Sequence, residues 1–162
     1  MSLSETEFRK ACGSFATGVA VLTVATSEGK PHGITINSIV SLSLDPPLVM
    51  VAIAHISTQL PAFDAGEHFA VNILQDDQRD ISSRFARPGE HRFDYAEWEK
   101  GIEDTPLLSG AIAIIECRVT QRFDAGDHRV LVGEAVRVRT QEGKPLLYFR
   151  SSYRYLEYNK SG

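Results

Sequence analysis

Residues 32–58, HGITINSIVSLSLDPPLVMVAIAHIST, decide how this chain is read. Within 34–44 the odd positions are Thr35, Asn37, Ile39, Ser41 and Ser43, and the even ones are Ile34, Ile36, Ser38, Val40, Leu42 and Leu44. That is a period of two, the spacing of a strand with one mostly aliphatic face and one mostly small and polar. A solvated strand face usually carries Lys, Glu, Arg or Gln, and this one carries none. Hydroxyls and amides suit hydrogen bonding to a bound molecule, so a polar ligand is expected to lie on this face. Asp45-Pro46-Pro47 then turns the chain, and 48–54 is an unbroken apolar run, expected as a short strand buried on both faces. Read from the residues alone, a half-exposed strand followed by a core strand is an equally good account.

Composition narrows the classes. At 162 residues, 43% hydrophobic and 23% charged, the chain suits one domain, 1–162, with a full core. A formal net charge of -4 offers no basic excess for nucleic acid or an anionic membrane surface. MSLSETEFRKA lacks the basic and apolar regions of a secretory signal, and no apolar run approaches the ~18 residues of a membrane span, so a cytoplasmic protein is expected. Cys12 and Cys117 lack CxxC spacing and are expected as buried thiols. His32, His55, His68, His91 and His128 lack short metal-ligand spacings, and no metal is expected.

Ser4 with Glu7 spells a capping box for a helix over 4–13, with Phe8, Ala11, Cys12 and Phe15 as its apolar stripe. Residues 19–26 and 32–37 form a hairpin about the turn at 27–31. A short helix ends at Gly66, HFAVNIL at 68–74 is a strand, and Asp76 is placed to cap a helix running to Ala86. Residues 87–106, with Phe93, Tyr95 and Trp98, are irregular, to be read as a lid or subunit contact or as a plain surface loop. Residues 111–123 and 129–139 form a second hairpin, 146–149 a last strand, and Tyr153, Tyr155 and Tyr158 an aromatic tail. Strands dominate, which fits a mainly β, closed antiparallel barrel with peripheral helices. There is no GxGxxG after a strand, no P-loop and no GxSxG, and no side chain is expected to act as nucleophile or acid/base.

The order of GITINSIVSLSLDPPLVMVAI, then ST, FAVNIL, SSRFA and GDH resembles the short-chain flavin reductase family, over about residues 8–156. These are the small reductase components of two-component flavin monooxygenases. The resemblance implies a Greek-key-type FMN-binding split β-barrel, a homodimer, and hydride transfer from NADH or NADPH to FMN, with FAD possible, for a partner monooxygenase. By resemblance Thr35, Asn37, Ser38 and Ser41 bind the flavin ring and ribityl chain, and Ala52 and Ile53 border the ring. Ser57, Thr58 and Arg84 meet the FMN phosphate, where hydroxyls and a guanidinium suit a dianion. His128 of the Gly126-Asp127-His128 motif is associated with the nicotinamide nucleotide; without the family it reads as a hairpin turn with an exposed His. The alternative function is a carrier or sensor that binds FMN on the same barrel without turnover.

Overall fold

The computed structural model describes residues 3–89 and 92–157. In chain order its elements are helix α1 (Glu5–Cys12), β1 (Thr17–Gly18), β2 (Ala20–Ala25), β3 (Pro31–Ile36), β4 (Ile39–Leu44) and β5 (Pro47–Ala54). Helix α2 (Leu60–Ala65), β6 (His68–Ile73), helix α3 (Arg79–Ala86), β7 (Trp98–Lys100) and β8 (Pro106–Leu108) follow. Two long strands, β9 (Ala113–Ala125) and β10 (His128–Thr140), and a short pair, β11 (Leu147–Phe149) and β12 (Ser152–Arg154), complete it. No helix among the described residues is long and apolar enough to cross a membrane.

Seven strands form one antiparallel sheet in the order β3-β2-β6-β9-β10-β5-β4. Its first and last members are consecutive in the chain, with only Asn37 and Ser38 between Ile36 and Ile39. Three Cα–Cα steps reach about 11 Å, whereas the edges of a flat seven-stranded sheet lie roughly 29 Å apart. The sheet must therefore curl until its edges come close. Side chains from both edge strands and from every strand between them meet in one core: Ile36, Leu22, Val71, Cys117, Leu131, Val51 and, packed against it, Ile39. The described ladder does not pair β3 with β4, so the expected closed barrel is met only as a curled, mainly β sheet.

Strand β2 is buried on both faces. Its outer face, with Val19 and Val21, is covered by Phe85 of α3, Leu108 of β8 and Leu146, with Phe93, Trp98 and Tyr153 packed around them. Phe93 stands edge-on between Phe85 (centroids 4.9 Å apart) and Trp98 (5.6 Å), so part of the irregular 87–106 stretch folds onto the core. Gly33 permits this packing, because a Cβ there would lie 2.8 Å from the Phe85 ring.

Several expectations change. The 34–44 alternation is not one strand face: the chain breaks at Asn37-Ser38 and its halves lie at opposite sheet edges, because each pairs with a different neighbour. Residues 48–54 are not buried on both faces; Val49, Val51 and Ile53 enter the core while Leu48, Met50, Ala52 and Ala54 stay half-exposed, since β5 has a core on one side only. The capping box at Ser4 and Glu7 is present, but α1 buries none of its residues, so Phe8 and Cys12 are exposed and only Cys117 is a buried thiol. Burial, then the nearby Glu116 charge, push the Cys117 thiol up to about 12. Asp76 is not the cap before α3: it opens a 3-10 turn over Asp76–Gln78 whose N-cap is Gln75, with the Gln78 side chain accepting from Gln75 N at 3.0 Å. Tyr153 packs inward and Tyr155 is exposed, while Tyr158 and His91 lie outside the described residues.

A buried polar network holds β2, β6 and β8 in place. Asn72 Nδ2 donates to the Val21 carbonyl and to Thr23 Oγ1, both at 3.0 Å, and Asn72 Oδ1 accepts from Leu108 N at 2.8 Å. Thr23 Oγ1 in turn donates to the Pro106 carbonyl. Asn72→Ala strands at least two buried partners and should cost roughly 2 to 5 kcal/mol of stability, measured by urea unfolding at constant m-value.

Candidate functional site

The break between β3 and β4 sets Asn37 and Ser38 beside β5. Ser38 Oγ donates to the Ala52 carbonyl at 2.9 Å and accepts from Ala52 N at 3.2 Å, extending the β4–β5 ladder through a side chain. Its hydroxyl is thereby committed to the backbone. Asn37 has no such partner among the described residues and is exposed. Asn37, Ser38 and Ala52 share a cavity of about 430 Å³ whose other walls include Phe15, Val40, Met50 and Val130. Small polar groups at the edge of an apolar hollow are what a flat, largely apolar ligand with a polar rim requires.

Thr35 lies further back along β3, and its hydroxyl donates to the Ser82 carbonyl at 2.6 Å. Ser82 Oγ is 2.8 Å from the Tyr153 hydroxyl, so α3 is held both to β3 and to the β11–β12 hairpin. Two residues on, Arg84 lays its guanidinium over the Tyr95 ring, 4.3 Å from the centroid. Arg84 lines a cavity of about 670 Å³ with Arg79, Ser83, Arg87, Arg92 and Tyr95. An adjoining cavity of about 310 Å³ shares Pro88, Gly89 and Arg92 with it and reaches Lys30, His32, Thr58 and Gln59. Together they form a basic groove along the far end of β3. Ser57 accepts from Gln59 N at 3.2 Å, and Gln59 Oε1 lies 3.2 Å from His32 Nδ1, which fixes the turn that carries Thr58.

The structure thus gathers Asn37, Ser38 and Ala52 in one hollow and Thr58 and Arg84 in one groove. Ile53 is buried with its side chain in the core, and Ser41 stands exposed on β4. Thr35 reaches the ligand region only through α3, because its hydroxyl is already spent on Ser82. Sequence reasoning missed Arg92, Lys30 and Gln59; an isolated basic or amide residue in a loop has no periodic signal. A further polar cavity of about 660 Å³ around Thr26, Glu67, His68, Glu103 and Asp104 holds none of the candidate residues, and its carboxylates oppose an anion.

His128 opens β10 after the two-residue turn Gly126-Asp127, in which Gly126 adopts φ +61. It sits opposite Ala54 on β5, one residue from His55, whose N–H donates to the Asp127 carbonyl at 2.9 Å. Its Nδ1 is 2.6 Å from Asp127 Oδ1, and Nε2 has no hydrogen-bond partner among the described residues. His55 Nε2 and Arg129 Nε both meet Asp124 Oδ1, at 2.9 and 2.7 Å, and Arg129 Nη1 reaches Asp64 at 2.8 Å. The hairpin tip is thus cross-braced to β5 and α2.

The His128 hydrogen bond, then its charge, hold the Asp127 carboxyl below the usual carboxylate range. A depressed folded pKa stabilises above the unfolded value of 3.8 and is lost as pH falls through the lower folded value. His128→Ala should raise the Asp127 pKa toward 3.8, read from its side-chain carboxyl carbon by NMR titration. An unmoved Asp127 would mean that the two side chains do not meet in solution.

A family model described as "Flavin reductase like domain" matches residues 12–157. The chain is 46% identical over 141 residues to an FMN reductase (NADH), SmoA, of Agrobacterium fabrum, covering 87% of this chain and 80% of that protein. It is 42% identical to the reductase component of a flavin-dependent trigonelline monooxygenase of Acinetobacter baylyi, covering 91% of this chain but 47% of that longer protein. Among solved structures, the NADH:FAD oxidoreductase SgcE6 of Streptomyces globisporus C-1027 superposes with a TM-score of 0.88 at 32% identity, covering 97% of this chain and 98% of that one.

Proposed function

Since the chain belongs to the flavin reductase like family, we propose that it is an NADH-dependent flavin reductase acting on FMN or FAD and supplying reduced flavin to a partner monooxygenase. The observation that carries this reading is the hollow shared by Asn37, Ser38 and Ala52, at the residues where the family resemblance places the flavin ring. NADH is the donor named for the FMN reductase and the FAD oxidoreductase that this chain resembles. NADPH is the other nicotinamide donor that the family resemblance allows.

A bound flavin supplies the acceptor for hydride from a reduced nicotinamide. The protein's share is placement and exclusion of water, so no nucleophile or general base is needed. Asn37 offers a free amide, both donor and acceptor, at the rim of the hollow. Ser38 fixes the Ala52 backbone, and the short Ala52 side chain lets a ring approach that backbone closely. Thr58 and Arg84 line the groove that we assign to the phosphate, Ser57 braces the turn that carries Thr58, and Thr35 holds α3 where Arg84 can serve it. Ser41 and Ile53 support from β4 and β5. To His128, held by Asp127 through Nδ1, we assign the nicotinamide nucleotide.

We read the curled sheet as the FMN-binding split barrel in a single domain, and the protein as a cytoplasmic homodimer. Support for the dimer is the exposed apolar surface: Val40, Leu42 and Leu44 on β4, Phe8 and Phe15 about α1, and Val136 and Val138 on β10. Phe15, 77% exposed, also walls the Asn37 hollow, so a second copy seated there would help close it. Leu42→Glu should convert the dimer to monomer in light scattering; a monomeric wild type would overturn the assembly.

Oxidation of NADH by the purified protein with free FMN tests the activity, and its failure despite flavin binding would favour the carrier or sensor. Asn37→Leu removes a polar contact and should weaken flavin binding by about 1 to 3 kcal/mol, read by flavin fluorescence titration. Unchanged affinity in the folded variant would move the ring elsewhere.

A further inference from the structure

One residue, His55, grips the β9–β10 turn at both ends. The chain leaves β9 at Ala125, passes through Gly126-Asp127 and enters β10 at His128. Just before the turn, Asp124 Oδ1 lies 2.9 Å from His55 Nε2; at its end, the Asp127 carbonyl accepts from the His55 N–H at 2.9 Å. His55 is the first residue beyond β5, next to Ala54, the register partner of His128. Main chain and imidazole of His55 therefore form a bracket around Ala125, Gly126 and Asp127. Gly126, at φ +61, has the conformational freedom of a residue without a Cβ, so the turn depends on such outside ties for its order. Asp127 passes the constraint onward: its carbonyl is held by His55 while its Oδ1 lies 2.6 Å from His128 Nδ1.

Resting on the reductase reading and its assignment of His128, we propose that His55 is a positioning residue for the nicotinamide nucleotide: it acts through the turn at Gly126-Asp127 to keep His128 in the arrangement that binds. Asp124 is held ready for this. Arg129 Nε donates to the same oxygen at 2.7 Å, and Arg129 Nη1 ties the assembly to Asp64 of α2 at 2.8 Å. The Arg129 hydrogen bond, then that of His55, hold the Asp124 carboxyl below the usual carboxylate range, so it stays an anion near neutral pH and accepts from both. The other side of the His55 turn does not need the imidazole. Ser57 N donates to the Ala54 carbonyl at 2.9 Å and Gln59 N to Ser57 Oγ at 3.2 Å, which keeps Thr58 in place independently. Loss of the ring therefore loosens the His128 side alone. Binding must then select the competent arrangement of the turn, which raises the NADH concentration required but not the rate at saturation.

Two measurements on the whole protein test this: steady-state kinetics with NADH and FMN varied in turn, and backbone amide order parameters by NMR without flavin. His55→Ala should raise KM for NADH about 2- to 5-fold, the scale of a half-exposed hydrogen-bonded pair, with kcat and KM for FMN within about 1.5-fold of wild type. Order parameters of Gly126, Asp127 and His128 should fall. His55→Gln, whose amide can donate to Asp124, should restore both readouts. Asp124→Ala should also raise KM for NADH, and the double variant should go no further than Asp124→Ala alone, because the two changes remove one interaction. Unchanged order parameters in His55→Ala would overturn the bracket. Loosened amides with an unchanged KM for NADH, equal losses for NADH and FMN, or a His55→Gln variant no better than His55→Ala would overturn the positioning role. Wild-type protein that oxidises no NADH would sink the reductase reading itself, and the order parameters would still decide the bracket.

Discussion

Two residues, Asn37 and Ser38, join strands that occupy opposite edges of a seven-stranded sheet. So short a link sets the curvature of the whole sheet, because its reach of about 11 Å is well below the roughly 29 Å width the sheet would have if flat. Curling turns one face of every strand inward, and that inner face becomes the main core. It also brings the exposed amide of Asn37 and the hydroxyl of Ser38 next to the middle of β5. The hollow at Asn37, Ser38 and Ala52 is therefore a by-product of bringing the edges together, made from the residues that do it.

The second consequence concerns which polar groups remain available. Thr35 and Ser38 look alike in sequence to other small polar residues of the same stretch, yet both hydroxyls are consumed internally, one by Ser82 and one by Ala52. They act by fixing α3 and β5. Other polar groups have no hydrogen-bond partner among the described residues, including the Thr17 hydroxyl and the Asn37 amide of the hollow and the Nε of Arg92. Burial makes that last guanidinium more than a surface charge, since a solvated arginine gains little from an anion whereas a desolvated one gains much.

The outer surface follows the same logic in reverse. The apolar stripe of α1 and the residues Val40, Leu42 and Leu44 of β4 have the periodicity of packed elements but stay exposed among the described residues. Burying them takes a second surface, and two of them, Phe15 and Val40, also wall the Asn37 hollow.

Local chemistry in the sequence determined a good part of the structure. Ser4 and Glu7 form their capping box, Asp45-Pro46 turns β4 into β5, Gly126-Asp127 turns β9 into β10, and the strand at 68–73 lies where its β-branched and apolar residues put it. The order of motifs from 34 to 128 also pointed to the family and to five of the residues that line the hollow and the groove, Asn37, Ser38, Ala52, Thr58 and Arg84. What it left undecided were relations between distant segments. Period-two alternation tells which residues share a face but not whether that face meets a core, a second copy or a ligand; 34–44 therefore read as one strand though its halves pair at opposite edges, and 48–54 read as doubly buried though only one side is covered. Cys12 and Cys117 are the same residue type with opposite fates, decided by whether β6 and β10 or nothing packs against them. Arg92 gave no signal at all, because one arginine in an irregular loop becomes a buried, unmatched charge only when β3, α3 and the turn at Thr58 close around it, and that enclosure exists only in the tertiary structure.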